Sequence, residues 1–124
     1  MNTAEVAQKL VAHCKAHTEA QGLEELYADD AISIEAMDGP SGSAVSEGIE
    51  AIKGKHAWWE ENFEVHGGEV DGPYVNGDSF TVIFGIDATE KASGQRTQMR
   101  EVALYDVADG KIVRESFFMA PMPE

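Results

Sequence analysis

TQMREVALYDVADGKIVRESFFM, running from Thr97 to Met119, decides the fold. Two runs rich in Val, Leu, Ile, Phe and Tyr flank Asp109-Gly110, and a two-residue reversal needs the positive φ that Asp and Gly tolerate. The stretch is therefore predicted to be an antiparallel hairpin. If Ala108 faces Lys111, the pairs run outward as Val107 with Ile112, Leu104 with Glu115, Val102 with Phe117 and Arg100 with Met119. Alternation then puts Arg100, Val102, Leu104, Val113, Glu115, Phe117 and Met119 on one face. Glu101, Ala103, Tyr105, Val107, Ile112, Arg114 and Phe118 fall on the other. Both faces mix apolar and charged groups, which suggests a core on one side and a contact surface on the other. Glu115, set between Val113 and Phe117, is expected either to line a cavity or to reach water near the sheet end.

Upstream, Asn2 and Glu5 form the pattern of a capping box, opening a helix expected over Thr3 to Ala20 with Val6, Leu10, His13, Cys14 and His17 as one stripe. Gly22 is expected to break it, and a short helix follows to Asp29-Asp30. Ala31 to Met37 reads as a strand, with Ile32 and Ile34 on one side and Ser33, Glu35 and Met37 on the other. Gly39 to Ser43 is a flexible loop by composition and a candidate flap. A third helix is expected from a Ser46 cap, with Ile49, Ile52, His56, Trp59 and Phe63 on its buried stripe and Trp58 turned away. Gly67-Gly68 is expected to end that unit. Asn76-Gly77-Asp78 signals a second hairpin between Val70 to Val75 and Ser79 to Thr89. Helices first and a meander of strands after them indicate an α+β fold.

The chain has 124 residues, which suits one domain spanning residues 1–124 with a core and room for a pocket. Nine basic against 23 acidic residues give a net charge of −14, which argues against nucleic acid or an anionic membrane as partner. The lone Cys14 rules out an internal disulfide and a Cys-rich zinc site. No apolar run approaches a membrane span and no basic leader opens the chain, so a cytoplasmic location is expected. There is no G-x-G-x-x-G, Walker loop, H-E-x-x-H or G-x-S-x-G, so neither cofactor nor metal is expected.

LYADDAISIE, Leu26 to Glu35, followed after a loop by GIEAIKGKHAWW, resembles the bacterial ketosteroid isomerases and SnoaL-like proteins of the NTF2-like superfamily. The resemblance covers nearly the whole chain and implies a cone: three N-terminal helices packed in a strongly curved, mostly antiparallel sheet. It also implies an apolar pocket for a small apolar molecule and a homodimer through the sheet's outer face. Carried over by position, the general base of the isomerases falls on Glu35, the tyrosine that binds the substrate oxygen falls near His13, and the protonated aspartate falls on Val102, which cannot donate. The resemblance thus makes Glu35 and His13 catalytic candidates, and Glu115, on the same expected hairpin face as Val102, joins them as a second acid or a group that orients water. Trp59, Phe63, Arg100, Val102, Leu104, Phe117 and Met119 are the candidates for substrate contact. A Glu35 held in an apolar hollow would be desolvated and suited to act as a base on an enolisable carbonyl compound. Two alternatives stand beside this isomerase or cyclase reading. One is a non-catalytic ligand-binding or dimerisation module; the other is water activation of the epoxide hydrolase kind by Arg100 with Glu35 and Glu115.

Overall fold

Asp109 and Gly110 take φ of 52° and 75° in the computed structural model, which describes residues 1–39 and 41–119. Their reversal joins β5 (Arg96–Ala108) to β6 (Lys111–Met119), and the first pairs, Ala108 with Lys111 and Val107 with Ile112, are the expected ones. Beyond them the register departs from expectation. Asp106 pairs with Arg114, so Val113 is an extra residue, a β-bulge, and each later pair moves by one: Tyr105 faces Glu115, Ala103 faces Phe117, Val102 faces Phe118 and Glu101 faces Met119. Such a step turns the rest of the strand over. Glu115, Phe117 and Met119 therefore share a face with Glu101, Ala103 and Tyr105, and Arg100, Val102 and Leu104 lie on the opposite one. The cause is visible in the sequence spacing. Ile112 is fully buried and Phe117 packs on the same core, yet five residues separate them, and a regular strand would put them on opposite faces.

The other strands are β1 (Tyr27–Ile34), β2 (Val45–Glu47), β3 (Phe63–Asn76) and β4 (Ser79–Glu90). They form one curved, open six-stranded sheet in the order β2-β1-β6-β5-β4-β3, in which only β1 and β6 run parallel. The α+β cone expected from the sequence is the fold observed. Helices α1 (Thr3–Ala16), α2 (Glu19–Leu26) and α3 (Ile49–Asn62) fill its concave side. Val6, Leu10, Leu26 and Ile52 from the helices meet Phe80, Val82, Ala103 and Ile112 of the sheet in one core. Removing these groups from water is the main stabilising term.

Several boundaries differ from those read from sequence. The Asn2 capping box forms in full: the Glu5 N–H donates to Asn2 Oδ1 at 2.8 Å and the Asn2 N–H to Glu5 Oε1 at 3.2 Å. The first helix nevertheless stops at His17, which adopts a left-handed φ of 58°. Gly22, expected as the breaker, lies inside α2, where a Cβ would sit 3.3 Å from the His13 ring; the missing side chain lets the two helices approach. Ser46 falls in β2, and Gly48 rather than Ser46 precedes α3. Gly67 and Gly68 do not end a unit but lie within β3, and a Cβ on Gly68 would collide with the Gly85 carbonyl oxygen. The second hairpin closes at Gly77-Asp78 as expected, with Asn76 paired to Ser79. Of the expected flap, Pro40 lies outside the described residues. Among those residues no helix is long and apolar enough to cross a membrane.

Candidate active site

Glu115 is the largest charged group in the core, with 1% of its surface exposed. The bulge turns it inward, and the parallel pairing of β1 with β6 sets Ser33 beside it, also fully buried. Tyr27, at the start of β1, donates its hydroxyl to Glu115 Oε2 at 2.5 Å. Glu115 Oε1 has no hydrogen-bond partner among the described residues, and Lys55 Nζ is 3.7 Å from it. Lys55 comes from α3, three residues beyond the buried Ile52 and so on the same helix face. Its ammonium donates to Ser33 Oγ, pairs with Glu35 Oε1 at 2.7 Å and lies 5.0 Å from the centre of the Phe117 ring. Ser33, Glu35, Glu115 and Phe117 thus converge on one ammonium group.

The negative charge at Glu115 reaches the groups around it. Burial, and after it Glu115, pushes the hydroxyls of Tyr27 and Tyr105 well above their usual range. Burial, Glu19 and Glu115 raise the Cys14 thiol to about 12, which leaves it an inert thiol. Burial holds His56 below its ordinary value although Glu115 opposes this. The decisive group is Glu101, on the same sheet face. Burial first, then repulsion from Glu35 and Glu115 against an opposing Lys55, raises its carboxyl from 4.5 to about 7.

That shift has a stability consequence. The folded chain holds the Glu101 proton more tightly than the unfolded chain, so this contribution is complete below pH 4.5 and is lost as the pH rises through about 7. Allowing for partial exposure, the difference amounts to about 2 to 3 kcal/mol. Urea unfolding of the wild type and Glu101→Gln at pH 4, 6 and 8 is expected to show the variant gaining on the wild type by about that amount across the series. A constant gap would rule out the burial of this carboxyl.

The candidates named from sequence separate into two groups. Glu35, Glu115, Phe117 and Met119 lie on the concave side; a recess of about 490 Å³ at the β1–β6 end is lined by Ile34, Arg114, Ser116 and Phe118 of the outer face together with Glu35, Phe117 and Met119, so it opens at the end of the sheet and not on the cluster around Lys55. Glu35 is about one-third exposed and held by Lys55, so it is an ion-pair partner and not the isolated, desolvated base expected. The interior near Glu115 is polar and charged where an apolar hollow was expected. Trp59 and Phe63 stack at 4.0 Å between ring centres at the end of α3, with Trp58 40% exposed beside them. His13 is committed elsewhere: Nδ1 is 2.8 Å from Thr18 Oγ1 and Nε2 is 2.9 Å from Glu25 Oε1, a clasp between α1 and α2. Arg100, Val102 and Leu104 point to the convex face because of the bulge, which removes them from the site.

Sequence reasoning missed Lys55, Glu101, Tyr27 and Ser33. Lys55 was visible as the residue three after Ile52 and four before Trp59, but a lysine among so many acids reads as a solvated flank. Glu101 is one position from Val102, so the same one-residue register error that admitted the valine concealed the acid.

The chain matches the SnoaL-like domain over residues 1–119. A crystal structure from Mesorhizobium loti, provisionally named a SnoaL-like polyketide cyclase and also a carbohydrate phosphatase, superposes with a TM-score of 0.90 at 50% identity, covering 95% of this chain and 99% of that one. An NTF2-like protein from Burkholderia thailandensis superposes with a TM-score of 0.83 at 16% identity over 97% of this chain and 92% of its own, which shows the shared fold. A protein from Bacillus subtilis, provisionally named an isomerase, gives a TM-score of 0.76 at 19% identity over 98% of this chain and 91% of its own. No curated protein sequence matches significantly. With a domain match over nearly its whole length and a half-identical structural neighbour, the chain belongs to the SnoaL-like family.

Proposed function

We propose that the concave cluster is an acid–base site acting on a small enolisable carbonyl compound, in an isomerase- or cyclase-type reaction. Membership of the SnoaL-like family supports a small-ligand or cyclase/isomerase-type protein. The observation that carries the finer reading is Glu101, a carboxyl poised at about 7 in the field of Lys55, Glu35 and Glu115. A proton-transfer group works best when its pKa lies near the working pH. Glu101 as carboxylate takes the α-proton, the C–H electron pair moves toward the carbonyl, and the developing oxyanion is held by the Lys55 ammonium. Return of the proton to another carbon gives an isomer; attack of the enolate on a second carbonyl of the same molecule closes a ring. Glu35 and Ser33 fix Lys55, and Tyr27 fixes Glu115. The Phe117 ring, 5.0 Å from the Lys55 ammonium, supplies apolar contact.

Arg100 on the convex face leaves water activation by an arginine between carboxylates without its arginine. A homodimer through the convex face is part of the proposal, supported by the apolar row of Ile83, Val102 and the half-exposed Phe118, which are neighbours across three strands.

The test is hydrogen exchange. Small apolar ketones incubated with the protein in deuterated water are expected to gain deuterium at the α-carbon faster than in buffer alone. A ketone that binds without any accelerated exchange would leave a binding module and end the catalytic reading.

A further inference from the structure

We propose that the concave site binds a ligand bearing a protonated amine, whose N–H donates to Glu115 Oε1. This rests on the acid–base reading of the same site and narrows its substrate class to amino-substituted carbonyl compounds. Two independent observations lead there. The first is the bare oxygen: Glu115 is 1% exposed, one of its oxygens is satisfied by Tyr27, and the other has no donor within hydrogen-bond distance among the described residues. A buried acceptor left unpaired costs about 1 to 3 kcal/mol, and more when the group is charged, so a ligand that brings a donor recovers that cost.

The second is the charge balance. Two carboxyl groups, Glu35 and Glu115, lie within ion-pair distance of one ammonium, and a third, Glu101, feels its charge from farther away. Lys55 is already bound to Glu35 at 2.7 Å and to Ser33, and stands 3.7 Å from Glu115. Lys55 is thus shared between Glu35, Ser33 and Glu115, and no second cation lies within ion-pair distance of Glu115 or Glu101 among the described residues. A neutral hydroxyl would satisfy the oxygen but not the charge; an ammonium does both. Charge-assisted hydrogen bonds are also the stronger kind. The half-buried Phe117 ring, 5.0 Å from the Lys55 ammonium, offers aromatic surface for the alkyl part of such a ligand.

The same cation has a place in the chemistry. An ammonium near the reacting carbon stabilises negative charge developing there, adding to Lys55. It also favours the charged form of Glu101, the form that accepts the proton.

Calorimetric titration of the full chain with isobutylammonium, isobutanol and isobutyrate at pH 8 and pH 6 tests this without requiring turnover. The amine is expected to bind about ten- to a hundredfold more tightly than the alcohol of the same shape, with isobutyrate weakest and the preference for the amine larger at pH 8. Glu115→Gln, whose amide oxygen can still accept from Tyr27, is expected to abolish the preference. If that variant does not fold, loss of the pH dependence in Glu101→Gln serves in its place. Equal binding of amine and alcohol, or a preference untouched by both variants, overturns the inference. That result would leave the acid–base site standing if α-proton exchange of neutral ketones is still seen.

Discussion

Glu101→Gln is expected to lower kcat/KM for α-proton transfer by about a hundred- to ten-thousandfold, the usual contribution of a positioned acid–base group. The amide keeps the shape of the side chain and removes its ability to take a proton. The wild-type profile of kcat/KM should rise with pH and level off above about 7, because the free protein must lose the proton that burial holds on Glu101. The residual activity of the variant should lack that limb. The stability measurement and the kinetic one thus read the same ionisation: Glu101→Gln removes a cost to folding that grows with pH and removes the group that makes the cost useful. A variant with wild-type activity, or a wild-type profile with no limb between pH 6 and 8, would dismiss Glu101 as the proton carrier. Glu35 is expected to matter less in the same assay, since its role is to hold Lys55.

Lys55→Met is the second large effect. Methionine keeps the apolar stem and much of the volume, so the packing against Phe117 survives while the charge goes. A preorganised group of this kind facing a developing oxyanion is typically worth about a hundred- to a thousandfold in kcat. The substitution also removes the one cation that lowers the Glu101 carboxyl, so the rising limb of the profile should move to higher pH. Loss of rate and an upward shift together identify Lys55 as the electrostatic partner of both the substrate oxygen and Glu101. Loss of rate with an unmoved limb would place Lys55 in structure alone. Lys55→Arg is expected to recover the position of the limb but only part of the rate, because a planar guanidinium does not reproduce the compact ammonium between Ser33 and Glu35.

Much of the architecture was legible in the chain. Asp109-Gly110 and Asn76-Gly77-Asp78 mark reversals by chemistry that acts over two or three residues. Asn2 and Glu5 close a helix start over three. The alternation of Ile32 and Ile34 with Ser33 and Glu35 separates two faces of β1, and in the folded sheet the polar pair faces inward toward Lys55, while Ile32 and Ile34 turn out beside Arg114 and Ser116. What such local rules miss is equally specific. His17 ends α1 in a conformation no local signal demanded, and β2 is too short to stand out before it pairs with β1.

Local chemistry along the chain determined the α+β class, its two tight reversals, the two faces of β1 and the presence of a carboxylate at Glu35. Those features follow from φ preferences and side-chain periods that each segment carries alone. Only the tertiary structure decided which side of β5 and β6 lines the site, and hence that Glu101, not Val102, shares a face with Glu115 and feels the charge of Lys55. The physical reason is the bulge at Val113: two apolar groups five positions apart must both reach one core, and that requirement exists only when helices and sheet are packed together.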